Sequence, residues 1–212
     1  YPIFAEIVAD IMAHDLKIYN SFLYSDKFNE VVKILTIINE NKKLFKDDVF
    51  KFFEKRAVEN AEEFADRSSN GSYKYALMLT FGDLIPANKE KAVSYIIRAC
   101  KDRHPEATHR YAMMLDYGQG VPVDKKKAVE YYQLAATYGN VEALFDFAYH
   151  LHIGDGIQKD IDKAIRFYYD AAEKGHEEAK FNYEQLSGKK FVKSDPYEII
   201  DVYSDDDIDD DD

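Results

Sequence analysis

Small and apolar residues recur along the middle of the chain at an interval far longer than a helical turn. Ala76, Ala112 and Ala148 stand 36 positions apart, as do Ala92, Ala128 and Ala164, then Ala99, Ala135 and Ala171, and then Ala107, Ala143 and Ala179. Gly82, Gly118 and Gly154 keep the same interval. Self-similarity at a fixed period of about 20–50 residues is the mark of a stacked repeat array. Within the second copy, Ala107, Tyr111, Ala112 and Leu115 share one face of an amphipathic helix. Gly118 and Gly120 end that helix, because a tight reversal wants positive φ and no Cβ. Asp124, matched by Asn88 and Asp160, then caps a second helix by accepting an amide hydrogen bond. Its small residues Ala128, Ala135 and Ala136 let the paired helices approach closely. Gly139 and Gly175 close the second helix, where the first copy has Arg103 followed by His104 and Pro105.

The pattern predicts one helix hairpin per copy, over residues 72–107, 108–143 and 144–179, with 180–186 starting an incomplete fourth. Residues 1–70 do not keep the period but read as four helices. Ile3, Phe4, Ile7, Val8, Ile11 and Met12 form one apolar stripe, and Val31, Val32, Ile34, Leu35 and Ile38 part of another. Asp26 and either Asp47 or Asp48 are placed to cap helices there. Arg67 to Gly71 is a short, turn-rich break, so the N-terminal helices are expected to pack on the first hairpin as a cap.

The second copy carries Gly118-Gln119-Gly120-Val121, Asp124, Lys127-Ala128, Tyr131-Tyr132, Ala135-Ala136 and Gly139. The third carries Gly154, Gly156, Ile157, Asp160, Lys163-Ala164, Phe167-Tyr168, Ala171-Ala172 and Gly175. In the first, Leu84 replaces the second loop glycine, Asn88 the aspartate and Cys100 the second alanine. This pattern resembles the Sel-one-like repeat family, related to the tetratricopeptide-like solenoids. The resemblance implies an all-α fold, a right-handed α/α superhelix of about three helix-hairpin repeats behind an N-terminal helical cap. It also implies a scaffold or adaptor role, in signalling or in ubiquitin-linked protein quality control. Some bacterial relatives are associated with β-lactam handling and carry cysteine bridges in each repeat, whereas this chain has one cysteine.

Charge narrows the range of partners. The formal net charge is −12, and residues 187–212 hold ten acids against three lysines. Nucleic-acid affinity comes largely from Lys and Arg displacing counterions, so DNA and RNA are not expected. The closing aspartate run predicts a largely disordered tail. Ser204, followed by Asp205, Asp206 and Asp207, matches an acid-directed kinase site. A lone cysteine, Cys100, fits a reducing compartment, cytoplasmic or nuclear, and reads as a small buried thiol. Tyr1 to Val8 has neither a basic n-region nor an uninterrupted apolar run, so neither a signal peptide nor a membrane span is expected. The missing initiator Met suggests that something upstream was removed.

No nucleophile–base pair, converging carboxylates or metal-ligand spacing stands out, which points to a protein that is not an enzyme and uses no cofactor. His150 and His152, two apart on a helix, diverge and so read as solvent-facing or groove-lining. Binding has clearer candidates. Three rows repeat on the first helices: Tyr73, His109, Phe145 and Phe181; then Leu77, Met113 and Tyr149; then Thr80, Asp116 and His152. The first row is read as inter-repeat core or groove wall. The other two are read as lining a groove for a protein or peptide, held by a monomer. The alternatives are the regulatory part of a longer enzyme and a β-lactam-type hydrolase.

Overall fold

The computed structural model describes residues 61–82 and 85–193 continuously, together with residues 36, 40, 51, 55, 58 and 59. Most of the N-terminal region expected to form four helices, with the caps at Asp26 and Asp47 or Asp48, lies outside the described residues, as do the final acidic run and Ser204. After a helical stretch ending at Ala65 come seven helices: α1 (Ser69–Phe81), α2 (Lys89–Lys101), α3 (Pro105–Tyr117), α4 (Lys125–Thr137), α5 (Val141–Ile153), α6 (Ile161–Glu173) and α7 (Glu177–Ser187). Among the described residues there is no strand, and no helix is long and apolar enough to cross a membrane. The fold is an all-α solenoid of helix hairpins. The chain divides inside α3 into two compact units, Tyr1–Tyr111 and Ala112–Asp212. In the first, α1 packs on α2; in the second, α5 packs on α4 and α6, and α6 on α7.

The same local contacts close each copy. Asn88, Asp124 and Asp160 accept the amides of Lys91, Lys127 and Lys163 at 2.9, 3.0 and 2.9 Å. Their own amides donate back to Leu79, Leu115 and Leu151 at 2.9, 2.8 and 2.9 Å, tying the end of each loop to the helix before it. Ser68, His104, Asn140 and His176, again 36 apart, accept the amides that open α1, α3, α5 and α7. The twelve alanines of the four repeating registers are at most 3% exposed, so small side chains stand wherever helix surfaces meet.

Two readings of the sequence are corrected. The first helices begin at residues 69, 105 and 141, three positions before the expected 72, 108 and 144, because the capping residue lies further upstream. Gly71, taken for a turn, is drawn into α1, where an added Cβ would meet the Phe64 carbonyl oxygen at 2.6 Å. Arg103 holds a φ of 60°, doing with a side chain what Gly139 and Gly175 do at 97° and 93°. Ahead of the aspartate run, residues 191 and 192 are held against α6 and α7. Phe191 lies 5.3 Å from the Tyr169 ring, the Tyr169 hydroxyl donates to the Val192 carbonyl at 3.2 Å, and the Phe191 amide donates to Glu184 at 3.0 Å.

Candidate functional site: a buried polar cluster beneath exposed aromatic rings

The second unit gathers an acid, a lysine, a histidine and a loop aspartate at one place. Gly156 makes this possible. Its φ is +74°, and a Cβ there would come within 2.5 Å of the Lys125 carbonyl oxygen, so only glycine lets the loop after α5 lie against the start of α4. Lys125 Nζ then reaches Asp116 Oδ1 at 2.7 Å and Asp155 Oδ2 at 3.0 Å. Asp116 is 4% exposed and also accepts from the Tyr132 hydroxyl at 3.5 Å. A carboxylate taken out of water is tolerable only with partners of this kind.

His150 completes the cluster and was misread as a surface residue. It is 4% exposed, with its ring 5.3 Å from that of Tyr132. Its Nδ1 lies 2.8 Å from the Asp155 backbone carbonyl, which can only accept, so Nδ1 carries a proton and Nε2 faces Asp116 Oδ2 at 3.5 Å. Asp116, His150 and Asp155 offer ligand atoms within 4.8 Å of one another. The Lys125 ammonium bridges the two carboxylates and supplies the positive charge they need. This arrangement joins the end of α3, the start of α4, α5 and the loop after α5.

The three candidate rows fare differently. Tyr73 and Phe145 are half-buried, covered by rings from the start of the next hairpin: His104 at 4.9 Å and 37° from Tyr73, and His176 at 4.4 Å and 12° from Phe145. They are stacking contacts between hairpins and not open groove wall. His109 is also half-buried, while Phe181 is 61% exposed. Leu77 and Met113 are half-buried, and Tyr149 is 45% exposed. In the third row Thr80 donates to the Ala76 carbonyl at 2.7 Å and His152 lies edge-on to Tyr168 at 6.3 Å. Asp116 belongs to the buried cluster instead of a groove, because the loop brings Lys125 to it from the other side.

A further row escaped the sequence reading. Phe81, Tyr117 and Ile153 are 63%, 62% and 44% exposed. They stand 36 apart, each just before a loop glycine, and that spacing was the available signal. Within the second unit, Tyr117 lies near Asp116, Asp146 and Tyr149. Its phenol is raised above its usual pKa, first by partial burial and then by Asp116 and Asp146, against the lowering effect of Lys125. Lys125 Nζ sits 5.7 Å from the centre of the Tyr117 ring. Tyr132 is raised by its burial, then by Asp146 and Asp116. Elsewhere in the unit a shallow, open depression is lined by Ile165, Arg166, Tyr169, Asp170 and Tyr183.

A Sel1 repeat family model matches residues 69–104, 105–140 and 141–176, whose starts coincide with those of α1, α3 and α5. A search among curated proteins finds no match. Solved structures show the likeness in fold. A Sel1 repeat protein from Oxalobacter formigenes is 24% identical with a TM-score of 0.58, over 61% of this chain and 98% of that one. A protective antigen present in uropathogenic Escherichia coli strains, displaying an SLR fold, is 22% identical with a TM-score of 0.60, over 85% of this chain and 37% of that one. Helicobacter pylori cysteine rich protein B is 21% identical with a TM-score of 0.49, over 59% of this chain and 93% of that one.

Proposed function

The chain belongs to the Sel1 repeat family, whose members are typically protein-interaction scaffolds, and we propose that this one is a non-enzymatic adaptor that holds a segment of another protein. The observation that carries the reading is the row of large apolar side chains left in solvent at the ends of the first helices, with Tyr149 beside it in the second unit. Folding gains from covering such groups, at roughly 25 cal/mol per Å². Leaving them out at a repeating position is a cost that a bound segment would offset. Met113 and His152 of the second unit, both half-buried, are further candidate contacts for such a segment. A place in signalling or ubiquitin-linked quality control, in the cytoplasm, fits this role and the lone cysteine.

Replacing Tyr117, Tyr149 and Ile153 together by Ser tests the reading, because these side chains are exposed and their loss should leave the helical circular dichroism unchanged. Affinity capture from the cell of origin with quantitative mass spectrometry should show a defined set of proteins held by the parent chain and lost by the variant. An identical set on both would reject the reading.

A further inference from the structure

We propose that the partner segment presents a basic side chain, Lys or Arg, to the Tyr117–Tyr149 patch of the second unit, an inference that rests on the scaffold reading above. Four observations point to a cation. First, both rings are open to solvent, at 62% and 45%, and lie close enough for Tyr149 to act on the Tyr117 phenol. Second, the surrounding charge is one-sided. The acids acting on Tyr117 are Asp116 and Asp146, while Glu142, further along α5, is paired with His176 at 3.1 Å, and residues 112–117 and 141–153 hold neither Lys nor Arg. Third, the lysine nearest this patch is spoken for: Lys125 is held between Asp116 and Asp155 at 2.7 and 3.0 Å. Fourth, that same ammonium already lies over the Tyr117 ring at 5.7 Å, so the chain itself shows a cation accepted at this aromatic ring with carboxylates behind it.

Asp146 has an interaction of its own, so its part is played through its field and not as an empty acceptor. A guanidinium or ammonium entering from solvent meets the exposed part of the Tyr117 ring and the edge of Tyr149. Its aliphatic stem passes Ile153, 44% exposed. An anionic or neutral side chain gains none of this. An acid would in addition be repelled.

The test uses the full chain and three small probes: N-acetyl-arginine methylamide, N-acetyl-lysine methylamide and the neutral isostere N-acetyl-citrulline methylamide. Each is titrated while the ring resonances of Tyr117 and Tyr149 are followed by NMR. The cationic probes should move these two rings saturably and bind about fivefold or more tighter than citrulline, with the preference shrinking as salt screens the acids. The arginine and lysine arms tell which cation is preferred. Tyr149→Leu and Asp146→Asn should each weaken the cationic probes while leaving citrulline unchanged. Equal shifts from citrulline, or shifts confined to other rings, would overturn the proposal. If the captured proteins are lost on Ser substitution but no cationic preference is found, the scaffold reading stands and the cation falls. If the preference is found but capture is unchanged, the patch accepts a cation but holds no partner segment, and the proposal falls with the scaffold reading.

Discussion

The two units are fastened by charge in opposite ways. In the first, Glu62 and Asp66, at and just after the end of the helix before α1, meet α2: Lys91 reaches Glu62 at 2.7 Å, Arg98 pairs with Asp66, and the Tyr95 hydroxyl donates to Asp66 at 3.1 Å. The two ion pairs are 35–51% exposed. In the second, Asp116 and His150 are at most 5% exposed, and only Lys125 and Asp155 reach water. Water already solvates the first set well in either state, so such pairs contribute roughly 0–1 kcal/mol. Water cannot rescue the second. Loss of a partner there strands a charge in the interior, at about 3–5 kcal/mol. A similar residue inventory therefore serves as a loose tie in one unit and as a rigid joint in the other.

The largest effect should follow from Gly156→Ala, which forces a Cβ against the Lys125 carbonyl and a side chain into positive φ. We expect a loss of about 3 kcal/mol or more, read as a lowered urea midpoint. Gly139→Ala is its control: φ is +97° but nothing lies within 4 Å, so only the backbone term of about 1–2 kcal/mol should appear. Next, Asp116→Ala should cost about 3 kcal/mol and change little with salt. Asp66→Ala, its counterpart in the first unit, should cost at most about 1 kcal/mol, and that difference should vanish near 1 M salt.

The smallest effect is a pH dependence in the first unit. His104 caps α3 by accepting the Ala107 amide through Nδ1 at 3.4 Å, which requires the neutral ring. Burial lowers its pKa below 6.5, with Glu106 partly opposing. As pH falls, the unfolded chain therefore takes up the proton first. The contribution is complete above 6.5, is lost as pH drops through the interval between 6.5 and the folded value, and levels off below it. His104→Asn, which copies the Asn140 cap, should flatten that part of the stability–pH curve. An unchanged slope would show that another group is responsible.

What the sequence made legible was local. Asn88, Asp124 and Asp160 cap helices within three residues of themselves, and the loop glycines impose their φ on the spot, so period and hairpin order follow from short windows. The buried cluster was not legible, because His150 and Asp155 join Asp116 and Lys125 only when α5 and the loop holding Gly156 lie against α4. No window short enough to read by eye contains that contact. Asp116 was consequently placed in a groove and His150 on the surface. The exposed row was missed for the opposite reason: Phe81, Tyr117 and Ile153 look like core by residue type, and only the fold reveals that they stay 44–63% exposed.

The covering of Tyr73 by His104 and of Phe145 by His176 gives the array a polarity. Each ring is roofed by the residue that starts the next hairpin, 31 positions later in both cases. In these two hairpins the roof over the ring is lent by the successor, like overlapping tiles. Cutting the chain ahead of His176 should leave Phe145 as bare as Phe181 is now, and fraying should advance from that side one hairpin at a time.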